Sequence, residues 1–280
     1  MVKQEETADP NMATSDKMIG SSAAWAAGYI GAGSRIAIID TGADVDHPSL
    51  DPDALKYALQ GSNATIMTEA DLTDEVLNQL NAYTRKAGLT AADFYVNEKI
   101  PFGFNYVDAD TDITHDNDTQ GDHGSHVTGI AAGNRFVKDE AGNYVAALDS
   151  VMTQGVAPDA QILTMKVFGK RGGAYDSDYM VAIEDAMVLG ADAANLSLGG
   201  SFPGYSEYTE EKYRHILDEI VGSGMVVTIS AGNSGSWFDQ TAFGLPYAGS
   251  VNWATNGSPG SYVNSLCVAS VDNAGVQTII

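Results

Sequence analysis

Short apolar runs alternate along the chain with stretches in which apolar residues recur at helical spacing. The runs predict buried strands at 35–39, 162–167, 193–198, 225–229 and 266–271. The stripes predict helices at 177–190, with Ser177 as N-cap, and at 207–221, ended by Gly222-Ser223-Gly224. Strands that are apolar on both faces and alternate with helices predict an α/β fold, a parallel sheet with helices on both faces.

Residues 51–100 carry a different pattern. Their apolar side chains lie at helical spacing, and Thr90 to Asp93 has the pattern of an N-terminal cap. We therefore predict a mostly helical insertion at about 51–100, within one domain over 18–280. The polar, acidic residues 1–17 contain no apolar core of a secretory signal and predict a flexible lead-in.

Charge and cysteine content exclude several classes of protein. The 280 residues include 14 Lys+Arg and 37 Asp+Glu, and the formal net charge is −23. Such an acidic chain is not expected to bind nucleic acid or an anionic membrane surface, because both require basic patches. No apolar run approaches the roughly 18 residues of a membrane span. The one cysteine allows neither an intrachain disulfide framework nor a cysteine-based zinc cluster.

Binding and active sites of parallel sheets lie beyond the carboxyl ends of the strands. Three polar residues of this chain are predicted to lie at or near such strand ends. Asp40 ends a strand, Asn233 follows another, and His123 opens a helical segment. A carboxylate, an imidazole and a carboxamide are three of the four parts needed for acyl transfer. Taken alone, His123 and His126 also suit a metal pair or two hydrogen-bonded core histidines, although the Glu of the metalloprotease motif is absent.

Five segments, in order, resemble the motifs of subtilisin-like serine proteases. They are Ile36-Ala37-Ile38-Ile39-Asp40-Thr41-Gly42, His123-Gly124-Ser125-His126-Val127-Thr128-Gly129, Gly155-Val156-Ala157-Pro158-Asp159-Ala160, Asn195-Leu196-Ser197-Leu198-Gly199-Gly200 and Ser230-Ala231-Gly232-Asn233-Ser234-Gly235. Pro101–Asp108, the preceding insertion and Gly257-Ser258-Pro259-Gly260 are most similar to the bacterial cell-envelope branch, which includes lactocepin and C5a peptidase relatives.

The resemblance implies a role for each matched position. Asp40 would be the triad acid, His123 the general base and Asn233 the oxyanion donor. The backbone of Ser197, Leu198, Gly199 and Gly200 would pair with an extended peptide, and Ala231 and Gly232 would form the opposite wall of the first specificity pocket. It implies a secreted or cell-wall endopeptidase that acts on polypeptides.

The family's Gly-Thr-Ser segment, which carries the nucleophile, does not occur in this sequence. We reject Cys267 as a substitute because it is predicted to be a buried structural thiol. The resemblance implies that Ser125 replaces a structural Thr of the family, and nothing marks Ser234 or Ser236 as activated, so we reject these serines too. The fold is therefore expected to be incomplete at its C-terminus, with the missing part of the same domain as partner.

Two hypotheses remain at this point. The chain is part of a serine endopeptidase whose Ser lies outside it, or it is a truncated or degenerate peptide-binding module. In either case the missing elements should leave apolar sheet surface uncovered, so that an isolated chain aggregates or needs a complementing partner.

No cofactor is expected, with calcium at one acidic stretch as the open alternative. That stretch contains Asp108, Asp110, Asp112, Asp116, Asp118 and Asp122. The helix-loop-helix calcium pattern fails there, because Ile113 occupies its glycine position and Thr119 its glutamate position. A solvated acidic loop and a non-standard cation site are the two interpretations.

Overall fold

A six-stranded parallel sheet forms the centre of the computed structural model, which describes residues 11–116, 118–200, 207–232 and 257–270. The sheet order is β2-β5-β1-β6-β7-β8. Its strands are β1 (Arg35–Asp40), β2 (Phe102–Asn105), β5 (Gln161–Lys166), β6 (Ala193–Leu196), β7 (Val226–Ser230) and β8 (Leu266–Val268). A separate antiparallel hairpin consists of β3 (Phe136–Lys138) and β4 (Tyr144–Ala146).

The strand β1 lies between β5 and β6, with Asp40 in register with Lys166. Parallel pairing places the carboxyl ends of these strands at one edge of the sheet. Asp40 and the residues that follow β6 and β7 therefore lie along the same edge, where sites in such folds are built.

One face of the sheet is covered by two long helices, α9 (Asp176–Val188) and α10 (Glu207–Ser223). Their apolar side chains, which include Ile183 and Leu217, share a buried core with β1, β5, β6 and β7. The helix α7 (His123–Ala132) packs on the opposite face, against β1 and β5. The sheet with helices on both faces is thus confirmed.

In the part of the chain that the structure describes, the face that carries α7 is left open over β7 and β8. Val226, Leu266 and Val268 point to this face by their register, and they are 53%, 58% and 51% exposed. Continuous apolar strands are normally buried on both faces. The described residues therefore leave an apolar surface over β7 and β8, which we call the open sheet face.

Short helices fill the segment between β1 and β2. They are α3 (Pro52–Ala58), α4 (Asp74–Leu77), α5 (Asn81–Arg85) and α6 (Ala91–Phe94), with 3-10 turns at Pro48–Leu50 and Glu69–Asp71. The cap at Thr90 is confirmed, because the Thr90 amide and hydroxyl both donate to Asp93 Oδ2. The segment is held to α9 by Asp185, whose carboxylate accepts the backbone N–H groups of Asn81 and Ala82.

Two local expectations differ from the structure. Helix α9 begins at Asp176, one residue before the expected N-cap Ser177, and Tyr175 holds the cap position in an extended conformation. Part of the expected flexible lead-in is helical: α1 (Asn11–Ile19) is followed by α2 (Ser21–Ala26), and the buried Asp16 accepts the Ser21 hydroxyl. A last short helix, α8 (Ala147–Ser150), follows the hairpin. In the part of the chain that the structure describes, no helix is long and apolar enough to cross a bilayer.

Candidate active site

Asp40 and His123 are in direct contact at the carboxyl edge of the sheet. The Nδ1 atom of His123 lies 2.7 Å from Oδ1 of Asp40. The Asp40 side chain is 1% exposed, whereas the His123 side chain is 53% exposed. A buried carboxylate bound to one nitrogen of an exposed imidazole leaves Nε2 facing outward, which is the arrangement of an oriented general base.

The turn after β1 fixes both partners through Thr41. The Thr41 backbone N–H donates to Asp40 Oδ1 at 2.7 Å, and its hydroxyl accepts the Gly124 N–H at 2.8 Å. Because Gly124 directly follows His123, Thr41 both orients the Asp40 carboxylate and anchors the helix that carries His123.

Glycines make this contact possible. Gly42 has φ of 107°, and a Cβ on it would lie 2.1 Å from the carbonyl oxygen of Ile113. A Cβ on Gly124 would lie 2.1 Å from the carbonyl oxygen of Gly42. A side chain at Gly124 would therefore separate the turn from the helix, and a side chain at Gly42 would displace the backbone at Ile113.

The first residue of a helix is an unfavourable place for a cation, since the macrodipole places partial positive charge there. His123 occupies that position in α7, and among the described residues Asp40 is the carboxylate bound to its ring. The Asp40 carboxylate therefore places a charge next to the ring that is opposite in sign to the helix end.

The neighbouring Ser125 has a structural partner. Its hydroxyl accepts the Asp44 backbone N–H at 2.7 Å, which ties α7 to the chain after Gly42. This contact supports the rejection of Ser125 as a nucleophile.

The proposed substrate walls follow the neighbouring strands. Gly199 and Gly200 are exposed after β6, and Leu198 is 7% exposed. The Gly200 N–H donates to Ser258 O, and the Gly257 N–H donates to Ala231 O. The segment at Gly257 thus links the 197–200 wall to Ala231-Gly232, a link that the motif spacing did not indicate. Asn233, Ser234 and Ser236 lie outside the described residues.

Cys267 is not buried as expected. It lies on β8, the last strand of the described sheet, and is only partly covered there.

The acidic stretch is not simply a solvated loop. Asp118 is 2% exposed in its side chain and pairs with the buried Lys166 at 2.5 Å. Lys170 lies 3.4 Å from Asp110 and 3.8 Å from Asp112, and its backbone N–H donates to Asp108. Lysine ammonium groups therefore compensate Asp110, Asp112 and Asp118. Within the described ranges, no group of three or more His, Cys, Asp or Glu is arranged to hold a metal.

A cavity of about 680 Å³ lies along α7, away from the 197–200 wall. Its lining includes His47, His115 and His126, which do not form a metal cluster in the part of the chain described. His47 instead accepts the Ser49 backbone N–H in a turn. The sequence motifs did not indicate this cavity, because its walls come from three separate segments, 44–50, 115–137 and 151–154.

Comparison with known proteins decides the family. The sequence profile of the subtilase family matches residues 31–279. This chain belongs to the subtilase family. That membership agrees with the parallel sheet and with the contact between Asp40 and His123.

Several characterised subtilases are similar over most of the chain. The PI-type proteinase of Lactococcus lactis subsp. cremoris is 32% identical over 278 residues, which cover 96% of this chain and 13% of that protein. The minor extracellular protease Vpr of Bacillus subtilis is 30% identical, over 82% of this chain and 21% of Vpr. A C5a peptidase of Streptococcus pyogenes is 29% identical, over 86% of this chain and 18% of that enzyme. The chain thus spans a fifth or less of the length of most of these relatives, and the resemblance to the cell-envelope branch is confirmed.

Proposed function

We propose that this subtilase chain supplies the acid and the base of an Asp–His–Ser triad in a serine endopeptidase. The observation that carries the proposal is the 2.7 Å contact between Asp40 Oδ1 and His123 Nδ1 at the carboxyl edge of the sheet. The nucleophilic Ser lies outside these 280 residues in this proposal.

In this proposal each group has its own step. The bond to Asp40 holds the imidazole proton on Nδ1, so that Nε2 takes the proton of the Ser hydroxyl as that oxygen attacks the substrate carbonyl. The imidazolium then gives this proton to the leaving amine, and water hydrolyses the acyl-enzyme by the same route. Asn233 would donate to the oxyanion, an interaction worth about 3–4 kcal/mol in such enzymes.

The substrate in this proposal is an extended polypeptide. The backbone of Ser197, Leu198 and the exposed Gly199 would pair with a peptide strand, because the Gly200 N–H is already bonded to Ser258 O, and Ala231-Gly232 would form the facing wall. Main-chain hydrogen bonds give affinity with little demand on sequence, so side-chain pockets would set the preference.

The partner is the remainder of the same domain. The open sheet face supports this proposal, because three apolar side chains on it are more than half exposed: Val226, Leu266 and Val268. Elements that carry the Ser would cover this face. An extracellular or cell-wall location is proposed from the relatives, one of which is named as an extracellular protease.

Labelling with a fluorophosphonate probe tests the proposal. The 280-residue chain alone should not be labelled, whereas a longer polypeptide that contains it should be labelled at a Ser beyond Ile280. In that longer form, Asp40→Ala and His123→Ala should each lower kcat by about 10⁴-fold or more, and the double variant should lose little more. His126→Ala is the matched control, because this exposed histidine lies one turn further along α7.

Labelling within residues 1–280 would show that a nucleophile is present in this chain. A longer polypeptide that binds peptides but is never labelled would favour the alternative, a peptide-binding module without catalysis.

A further inference from the structure

A buried lysine lies directly behind the Asp40 turn. Lys166 ends β5 in register with Asp40, and its side chain is 1% exposed. Its Nζ atom donates to Thr41 O and to Asp118 Oδ2, each at 2.5 Å. The proposed chemistry does not use this lysine, and a charge of this kind is rarely buried without a specific role.

The contacts of Lys166 converge on the residue that connects acid and base. Thr41 is held at its carbonyl oxygen by Lys166, at its N–H by Asp40 and at its hydroxyl by Gly124. With all three polar groups engaged, the Thr41 peptide cannot rotate without breaking one of these bonds.

The second contact reaches the segment that leads into α7. The Asp118 carboxylate binds Lys166 through Oδ2 and accepts the Gln120 backbone N–H through Oδ1 at 2.8 Å. One ammonium group therefore links the end of β5, the turn after Asp40 and the approach to His123. The stem of Lys166 also lies close to Gly42, where a Cβ would be 3.3 Å from its Cδ atom.

We propose that Lys166, with Asp118, is a positioning residue that sets the Asp40–His123 geometry through Thr41. The expected effect of Lys166 on turnover rests on the proposed function, whereas its expected effect on the hydrogen bond between Asp40 and His123 does not. Without the ammonium group, the Thr41 carbonyl loses its donor, and the turn can shift relative to α7. Displacements of about 1 Å at such a distance from the chemistry can cost about 10²-fold in rate.

The test compares Lys166→Met with Lys170→Met in the full polypeptide that carries this chain. Lys170 is the matched control, because it also pairs with carboxylates of the acidic stretch, but its side chain is 44% exposed. Proton NMR of the His123 Nδ1–H reports the bond to Asp40 directly, and steady-state kinetics report its consequence. In Lys166→Met, the low-field resonance of the His123 Nδ1–H proton should disappear, and kcat should fall by about 10²-fold with little change in KM. In Lys170→Met, both the resonance and kcat should stay as in the wild type.

A double variant separates positioning from stability. Lys166→Met leaves Asp118 buried without a cation, which can weaken folding by itself. Lys166→Met combined with Asp118→Asn contains no buried charge at this position, so folding should recover while the resonance and kcat do not. The inference would be overturned if the His123 Nδ1–H resonance and kcat both recovered in the double variant, or if the resonance were unchanged in Lys166→Met. If the polypeptide proves to have no peptidase activity, the NMR comparison still decides it.

Discussion

Gly124 stands against the carbonyl oxygen of Gly42 so closely that a Cβ on Gly124 would lie 2.1 Å from that oxygen. Real Cβ atoms do not approach an oxygen at this distance, so the contact requires glycine. It joins the turn after Asp40 to the first turn of α7 and thereby sets the separation between Asp40 and His123. The 2.7 Å contact between Asp40 and His123 depends on this approach as much as on the two side chains.

Gly124→Ala should therefore separate the turn from the helix. We expect loss of the low-field His123 proton and, in a catalytic form, a fall in kcat of about 10²-fold or more. Gly129→Ala is the control, because no described atom lies within 4 Å of its Cβ position and the residue is in the same helix. That variant should keep the bond and gain up to about 1 kcal/mol of helix stability. Equal behaviour of the two variants would contradict the argument.

Asp185 should be the anchor of the segment between β1 and β2. Its carboxylate is buried and accepts the N–H groups of Asn81 and Ala82 and the hydroxyl of Tyr106. Burial raises the pKa of Asp185, and these hydrogen bonds oppose the rise. Asp185→Asn places an N–H₂ group among donors, so we expect a loss of about 1–3 kcal/mol in the free energy of unfolding.

Hydrogen exchange locates this effect. Amides of α5 should exchange faster in Asp185→Asn, while the His123 proton stays in place. Glu75→Gln, an exposed change in the same segment, should leave both unaffected. Uniform loss of protection across the whole chain would show that Asp185 supports the core and not this docking contact.

The strands of the sheet were the predictable part of this molecule. Continuous apolar runs end where Asp40 and the 197–200 wall begin, and the structure places the strand boundaries within three residues of the runs at β1, β5, β6 and β7. Local pattern suffices there because a buried parallel strand imposes apolar residues at each position.

Pairings across the sheet could not be predicted in this way. The contact of Lys166 with Asp118 spans 48 positions and depends on β5 lying beside β1. The apolar pattern within a strand does not indicate which strand lies beside it. The hairpin at Phe136 was missed for a different reason: its strands are three residues each, too short for an alternating pattern to appear.

Lys99 should make stability depend on pH. Its side chain is 0% exposed and donates to Pro158 O and Ala160 O, and burial lowers its pKa to about 7, opposed by Asp159. The unfolded chain keeps a proton on this lysine up to about pH 10.5, so between about pH 7 and 10.5 the unfolded state binds more protons. The contribution of Lys99 to the free energy of unfolding should thus rise with pH in that window, by up to about 1.4 kcal/mol per pH unit.

Urea unfolding at several pH values measures this effect against Lys99→Met. The wild-type chain should gain stability relative to the variant from pH 7 to 9.5, and the difference should be flat below pH 6. Lys86→Met, at an exposed position, should show no such trend. A difference that does not change with pH would mean that Lys99 keeps its proton in the folded state throughout.

The open sheet face should make the isolated chain self-associate. Leu266 and Val268 are 58% and 51% exposed on β8, the strand that ends the described sheet. An uncovered apolar edge is a template for pairing with another chain, and lysines on such a strand prevent it. We therefore expect concentration-dependent oligomers of the 280-residue chain in sedimentation velocity, and monomers of the Leu266→Lys/Val268→Lys variant.

Val221→Lys serves as the control, because Val221 is 67% exposed on α10, in the helical layer over the other face. Monomeric wild-type chain, or a double variant that associates as strongly as wild type, would show that this face does not need a covering partner.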